Sequence, residues 1–253
     1  MVTNETQCPR VTLVVGMAGS GKSSVTNCLK THCESKGTRT YTINLDPAVR
    51  RTVYDSNIDI RDTIDYNGVR EKYNLGPNGA ILTACNLFAT RFDQVIALCE
   101  QKSAHVEHII VDTPGQIEIF TWSASGSIIC EAFAASFPTT ILFVIDTPRV
   151  QAAHVFMTNM LQCLSMVYKT KLPVIVAFNK IDITSHEFAN SWLRDIETFH
   201  AALGGASSYA AELAISLVST IYEFYSELTT IGISAATENG FDKLFEKLTH
   251  RAM

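Results

Sequence analysis

Residues 11–23 read Val-Thr-Leu-Val-Val-Gly-Met-Ala-Gly-Ser-Gly-Lys-Ser, and this stretch decides the fold. Val11–Val15 is an unbroken apolar run, as a strand buried on both faces requires. Gly16–Ser23 follows as a complete phosphate-binding loop, and a segment poor in glycine continues from Lys22 as a helix. Strand, loop and helix in that order are the setting the motif needs. Its glycines allow positive φ and close backbone approach, so successive N–H groups point at phosphate oxygens, helped by the partial positive charge of the helix start. The expected phosphate contacts are Gly19, Ser20, Gly21, Lys22, Ser23 and Ser24. Lys22 supplies a cation for the outer phosphates and Ser23 a hydroxyl for magnesium.

Outward from this loop, strand-like runs alternate with helical stretches. The runs are Val11–Val15, Thr40–Leu45, His108–Val111, Thr140–Ile145, Val174–Phe178 and Thr230–Ile233. Helices are predicted near 22–36, 81–102, 118–136, 151–170, 187–203, 208–228 and 240–250. The alternation predicts an α/β fold, a parallel sheet wrapped by helices on both faces, in one domain over residues 1–253. Gly204–Ser208 reads as a loop within that domain. The polar stretch Asp46–Asn74 reads as irregular, mobile or partner-facing.

Bulk properties narrow the function. The chain has 253 residues, 47% of them hydrophobic, and a net charge of −5. Lysines and arginines never run beyond two in a row, which speaks against a nucleic-acid face. Neither a membrane-length apolar stretch nor a signal peptide is legible, so a soluble, intracellular protein with no membrane partner is expected. The seven cysteines are scattered without a Cys-x-x-Cys pair. Reduced, mostly buried thiols are expected, with His32-Cys33 at the surface and not a metal site.

Ligands on such sheets sit beyond the carboxyl ends of the strands. Asp112-Thr-Pro-Gly-Gln116 follows one run: Asp112 is placed to hold magnesium through water, and Gly115 to offer its N–H to a γ-phosphate. Asn179-Lys-Ile-Asp182 follows another. Guanine presents two donors that one carboxylate accepts together, whereas adenine leaves that carboxylate mispaired, so Asp182 selects guanine. Asn179 is placed either to hydrogen-bond the base or to tie its loop to the phosphate loop, and the Lys180 stem to cover the flat ring. Ser234 and Ala235 follow the last run as a backbone contact to the base. Asp46, closing Asn44-Leu-Asp46, stands near magnesium or the attacking water. Arg50 and Arg51 read as a solvated pair, which leaves no obvious arginine finger. Phe120, Trp122, Phe133, Phe137, Phe156, Met157, Met160, Met166 and Tyr168 either pack on the sheet or form an adaptable groove for an apolar peptide.

Together the motifs resemble the GPN-loop GTPases. The signature is Gly76-Pro-Asn-Gly79 within Leu75–Gln94, which on local chemistry alone is a tight turn before a helix. Asn57-Ile-Asp-Ile-Arg-Asp62, Asp112–Glu118, Trp122-Ser-Ala-Ser-Gly126 and Asp146-Thr-Pro-Arg149 look most like the eukaryotic first paralogue. The resemblance implies a P-loop NTPase of the SIMIBI type with a GPN loop inserted at about 71–80 and helical insertions. It implies magnesium-dependent hydrolysis of GTP to GDP and a homodimer, or a heterodimer with a sister paralogue. Gly76, Pro77 and Asn78 of one subunit would face the other's phosphates, and Asp46, Asn78 and Gln116 are alternative positioners of the water, with Lys22 and Asp112 completing the catalytic set. It further implies service in RNA polymerase II assembly and nuclear import, with polymerase subunits or assembly factors as partners, and a cytoplasmic location with shuttling to the nucleus. A nucleotide-gated scaffold with little turnover, a metal-delivery GTPase and a P-loop kinase remain as alternatives.

Overall fold

The computed structural model describes residues 8–203, 222 and 228–250. Seven strands form one parallel sheet: β1 Arg10–Gly16, β2 Thr40–Asn44, β3 Ile58–Asp59, β4 His108–Asp112, β5 Thr139–Asp146, β6 Val174–Asn179 and β7 Thr229–Gly232. Their order is β3-β2-β4-β1-β5-β6-β7, with every neighbouring pair parallel. β1 therefore lies in the middle, flanked by β4 and β5, and the chain departs from it to either side. A crevice at the carboxyl end of such a central strand is where this architecture takes ligands.

Side chains alternate across the central strands and feed two cores. Leu13, Val15, Val111, Phe143, Ile145, Val176 and Phe178 point to the larger one. It is capped by helices α4 Pro77–Ala89, α5 Phe92–Lys102, α6 Ile117–Trp122, α7 Ala124–Ser136, α8 Ala153–Thr170, α9 Glu187–Arg194 and α10 Ile196–Leu203. Val14, Ile110, Leu142, Val144, Ile175 and Ala177 point to the other face, covered by α1 Lys22–Ser35 and α11 Phe241–His250. Burial on both faces explains why the strands read as continuous apolar runs.

Several expected helices are divided, each for a local reason. The stretch 81–102 begins earlier, at Pro77, and bends by 60° between α4 and α5. There the Thr90 hydroxyl bonds back to Leu87 O, and Arg91 N bonds to Phe88 O. The stretch 118–136 breaks at Ser123, whose side chain accepts from Gly126 N and caps α7. The stretch 187–203 breaks at Asp195, which takes Glu197 N at 3.0 Å. The stretch 151–170 starts at Ala153 after a 3₁₀ turn, Thr147–Gln151. The loop Gly204–Ser208 and the helix near 208–228, apart from residues 222 and 228, lie outside the described residues.

Asp46–Asn74 departs from its irregular reading. It holds β3 and two short helices, α2 Ile60–Thr63 and α3 Tyr66–Lys72, and it buries Tyr54, Asp59 and Ile60. Among the described residues no single helix is long and apolar enough to cross a membrane. The bent pair α4–α5 passes on length and composition together, and it buries Phe88, Phe92, Val95 and Ile96 in the core.

Six cysteines are buried and Cys8 is exposed. Cys33 corrects the surface reading of His32-Cys33: it faces the sheet from α1, with its Sγ 3.8 Å from His108 Nδ1. Burial pushes the thiols of Cys33, Cys85, Cys99, Cys130 and Cys163 up to about 12, which makes them inert as nucleophiles.

His108 gives a stability prediction. Its ring is buried, paired with the Thr12 hydroxyl at 2.8 Å, and burial together with nearby Arg10 lowers its pKa from 6.5 to about 4. The folded chain refuses a proton that the unfolded chain accepts below its own pKa. This contribution is therefore complete above pH 6.5 and is lost as pH falls toward 4. Between pH 7 and 5 it amounts to about 2 kcal/mol. Urea unfolding should show wild type losing that much more than His108→Gln over the interval. Equal losses would contradict the buried neutral ring.

Candidate functional site

The sheet's carboxyl edge presents Gly16, Asn44, Asp112, Asp146 and Asn179 as successive strand ends. Gly16 must be glycine, because a Cβ there would lie 2.3 Å from Val144 O on β5. Gly19 and Gly21 have φ of 81° and 92°, in the left-handed region, so the loop turns tightly into α1. A Cβ on Gly21 would meet Asn179 Nδ2 at 2.5 Å. Ser20 is buried with an unpartnered hydroxyl, and Ser24 is exposed on the first turn of α1.

Lys22 is buried, with its ammonium on Gly16 O at 2.9 Å, Met17 O at 3.2 Å and Gly115 O at 3.4 Å. Burial lowers its pKa, while Asp112 and Asp46 pull it back up. The cation thus links the phosphate loop to the segment after β4.

Asp112 is only 2% exposed. Burial raises its pKa to about 6 against the pull of Ser23, Tyr54 and Lys22, and Asp46 adds to the rise. Its Oδ2 accepts from Tyr54 Oη at 3.0 Å, and its Oδ1 has no hydrogen-bond partner. Asp46 Oδ2 accepts from Gly115 N at 3.3 Å, and its Oδ1 from Ala48 N at 2.9 Å. A buried orphan carboxylate oxygen, the Ser23 hydroxyl beside it and the Asp46 charge make an all-oxygen donor set. That set fits magnesium, which keeps several waters and takes one or two carboxylates plus phosphate. Among the described residues no three or more His, Cys, Asp or Glu side chains converge as a self-sufficient metal centre.

The residues of Asn179–Asp182 are tied to both neighbours. Asn179 Nδ2 donates to Ser20 O at 2.9 Å, and its Oδ1 accepts from Ala235 N at 3.1 Å. Lys180, at φ 68°, reaches Gly19 O at 2.8 Å and Asp146 Oδ2 at 2.7 Å. Asp182 is exposed, and one of its oxygens accepts the Ser234 hydroxyl. Ser234 Oγ in turn accepts from Thr237 N at 3.2 Å. One carboxylate is thus aimed by its neighbour and open to a base.

Gly76, Pro77 and Asn78 are exposed and form the first turn of α4 rather than a free loop, Gly76 being its N-cap and Pro77 its first residue. Asn78 Oδ1 accepts from Gln116 Nε2 at 2.8 Å within the same chain. Two of the three alternative water-positioners, Asn78 and Gln116, therefore touch, and the third, Asp46, holds the backbone one residue before Gln116.

Sequence reasoning missed three contributors. Tyr54 lay in the stretch taken as irregular. Asp146 and Arg149 stood in a quoted block without a role. Arg149, 67% exposed, places its guanidinium 3.4 Å from Asp146 Oδ2 and 3.2 Å from Ala18 O, over the outer turn of the phosphate loop. The strand-end criterion that selected Asp46 and Asp112 applies equally to Asp146. Arg50 and Arg51 are exposed, as a solvated pair should be. Seven of the nine groove candidates are buried in the core, leaving Trp122 at 66% and Tyr168 at 72% exposure. These helices pack on the sheet, and the apolar cavity beneath Pro114 and Phe120 measures only about 10 Å³.

The family model described as "Conserved hypothetical ATP binding protein" matches residues 14–253. The chain is 51% identical over 235 residues to GPN-loop GTPase QQT2 of Arabidopsis thaliana, covering 93% of this chain and 62% of that protein. It is 47% identical over 254 residues to GPN-loop GTPase 1 of Schizosaccharomyces pombe, covering 97% of this chain and 69% of the relative. The chain thus spans about six- to seven-tenths of the length of these relatives. A GTPase from Pyrococcus abyssi, crystallised in its apo form, shares the fold with a TM-score of 0.82 at 23% identity, over 95% of this chain and 96% of that one. Identity of 47–51% over more than nine-tenths of the chain places it: the chain belongs to the GPN-loop GTPase family.

Proposed function

We propose that this chain binds GTP with magnesium, hydrolyses it to GDP, and works as a dimeric switch. The observation that carries the reading is Asn179, whose amide joins Ser20 O of the phosphate loop to Ala235 N beside Asp182. Phosphate and base recognition are therefore one rigid unit. The description of the matching family model speaks of ATP, but the exposed Asp182 carboxylate suits the two donors of guanine and mispairs with adenine.

The chemistry is in-line attack of water on the γ-phosphate, with alignment and charge as the protein's contribution. Lys22, freed from a carbonyl, compensates charge on the outer phosphates. Gly115 N–H, released from Asp46, donates to the γ-phosphate. The Gln116 amide, one residue after Gly115, orients the attacking water, and Asn78, released from Gln116, reaches toward the partner subunit's phosphates. Magnesium, when bound, would be held by Ser23 with Asp112 and Asp46 behind it, and would supply neutralisation of phosphate charge.

The exposed Gly76-Pro-Asn78 turn suits contact with a second copy or a sister paralogue. Loss of the γ-phosphate frees Gly115, and the Gln116–Asn78 bond passes that change to α4. The likeness to first-paralogue proteins supports service in RNA polymerase II assembly and nuclear import, in the cytoplasm with shuttling to the nucleus.

Mixing Asn78→Ala with Lys22→Ala subunits tests the dimer. If Asn78 acts across the interface, each homodimer is inactive and the mixture recovers about a quarter of wild-type turnover, because only one of two sites in each mixed dimer is complete. No recovery at any ratio would confine Asn78 to its own chain.

A further inference from the structure

The block Asn57–Asp62 takes no part in the steps above, yet it contains a carboxylate that is only 6% exposed, Asp59. Both Asp59 oxygens accept from Asn44 Nδ2 at 3.1 Å. Arg61 grips the same carboxylate through Nε at 2.8 Å and a terminal nitrogen at 2.6 Å, and Ser56 adds a bond at 3.0 Å. Burial alone would raise the Asp59 pKa, but Arg61, Asn44 and Ser56 together hold it below the ordinary carboxylate value. The remaining arm of Arg61 donates to Val49 O at 3.1 Å and Arg50 O at 3.2 Å. Asn44 turns its Oδ1 to Asp46 N at 3.1 Å. The bonds hold both ends of residues 46–50, at the Asp46 backbone and at the Val49 and Arg50 carbonyls, and the segment begins with Asp46, whose carboxylate holds Gly115 N–H.

We propose that Asp59 and Arg61 are positioning residues for Asp46, setting through Asn44 and the Val49–Arg50 carbonyls where its carboxylate meets the switch. The function of this placement rests on the GTPase reading above, but the placement can be tested without turnover. Asn57 is a built-in control. It braces the same segment through Thr42 N at 2.8 Å and reaches neither Asp46 nor its loop. A brace that only held the fold would make Asn57 and Arg61 equivalent.

The experiment compares Arg61→Ala, Arg61→Lys and Asn57→Ala in the full chain, with the Gly115 and Ser20 amides followed by hydrogen exchange. Arg61→Ala should speed exchange at Gly115 by about tenfold or more and leave Ser20, bonded to Met17 O, unchanged. Arg61→Lys keeps the charge but loses the fork that spans Asp59 and the two carbonyls, so it should fall between wild type and Arg61→Ala; it is read alone if Arg61→Ala does not fold. Asn57→Ala should lower the melting temperature without moving Gly115. In an Asp46→Ala background, Arg61→Ala should add nothing at Gly115. For turnover, kcat for GTP should fall about tenfold in Arg61→Ala while the Kd for fluorescent GDP stays within about threefold. Unchanged Gly115 exchange in the Arg61 variants, or an equal change in Asn57→Ala, would overturn the proposal. A wild type that binds GTP without turning it over would overturn the GTPase reading and leave the exchange result to decide this one.

Discussion

Asp182→Ala should lose its preference for GTP over ATP by a factor on the order of 10³ while it still binds nucleotide phosphates. The carboxylate is exposed, with one oxygen aimed by the Ser234 hydroxyl, and it is placed to accept both guanine donors. Each charge-assisted bond is worth about 2 kcal/mol, so the pair accounts for about 4 kcal/mol, which is the stated factor. Adenine gains nothing from the carboxylate and loses nothing when it goes. The phosphate loop should be intact, since Asn179 and not Asp182 ties it down. Displacement of fluorescent GDP by GTP and by ATP, in wild type and variant, reads both effects. A variant that still rejects ATP would place guanine selection elsewhere in the crevice.

Lys22→Ala should weaken GTP and GDP binding by at least about 100-fold and bring hydrolysis below detection. The ammonium is already stripped of water and held by three carbonyls, so little reorganisation is needed when phosphate arrives. The substitution removes that cation and leaves the Gly16, Met17 and Gly115 carbonyls without it. Lys22→Arg should fare little better, because a planar fork does not fit a niche built for a compact ammonium. Titration with fluorescent GDP measures the loss, with far-ultraviolet circular dichroism to show that the sheet survives. Wild-type affinity in Lys22→Ala would remove Gly16–Ser23 from the nucleotide site.

What the sequence made legible follows local rules. Val11–Ser23 could be read because glycine positions, strand and helix all lie within 13 residues. The same holds for Asp112–Gln116 and Asn179–Asp182, where each motif begins at a strand end. The central strands β1, β4, β5 and β6 were legible because burial on both faces makes them largely apolar, whereas threonine-rich β2 and β7 were legible from their β-branched residues and their place in the alternation. Two-residue β3 was not, since Ile58–Asp59 has no pattern of its own and exists by pairing with Ile43–Asn44. Helix breaks at Thr90, Ser123 and Asp195 escaped because apolar residues continue across them and only side-chain caps mark the stops. Tyr54, Asp59 and Arg149 escaped for another reason: their roles come from bonds to residues 58, 15 and 131 positions away, or from a loop whose path the sequence does not encode locally. Cys33 was misplaced because the face of α1 it occupies is fixed by packing on β4, where it meets His108, 75 residues away.

The most direct measurement is GTP turnover by purified protein over a wide range of protein concentrations, with ATP as competitor and magnesium withdrawn as control. The account predicts specific activity that rises with concentration as dimers form, that ATP leaves unchanged, and that disappears without magnesium. Turnover that is independent of concentration, or inhibited by ATP as strongly as by GDP, would contradict it.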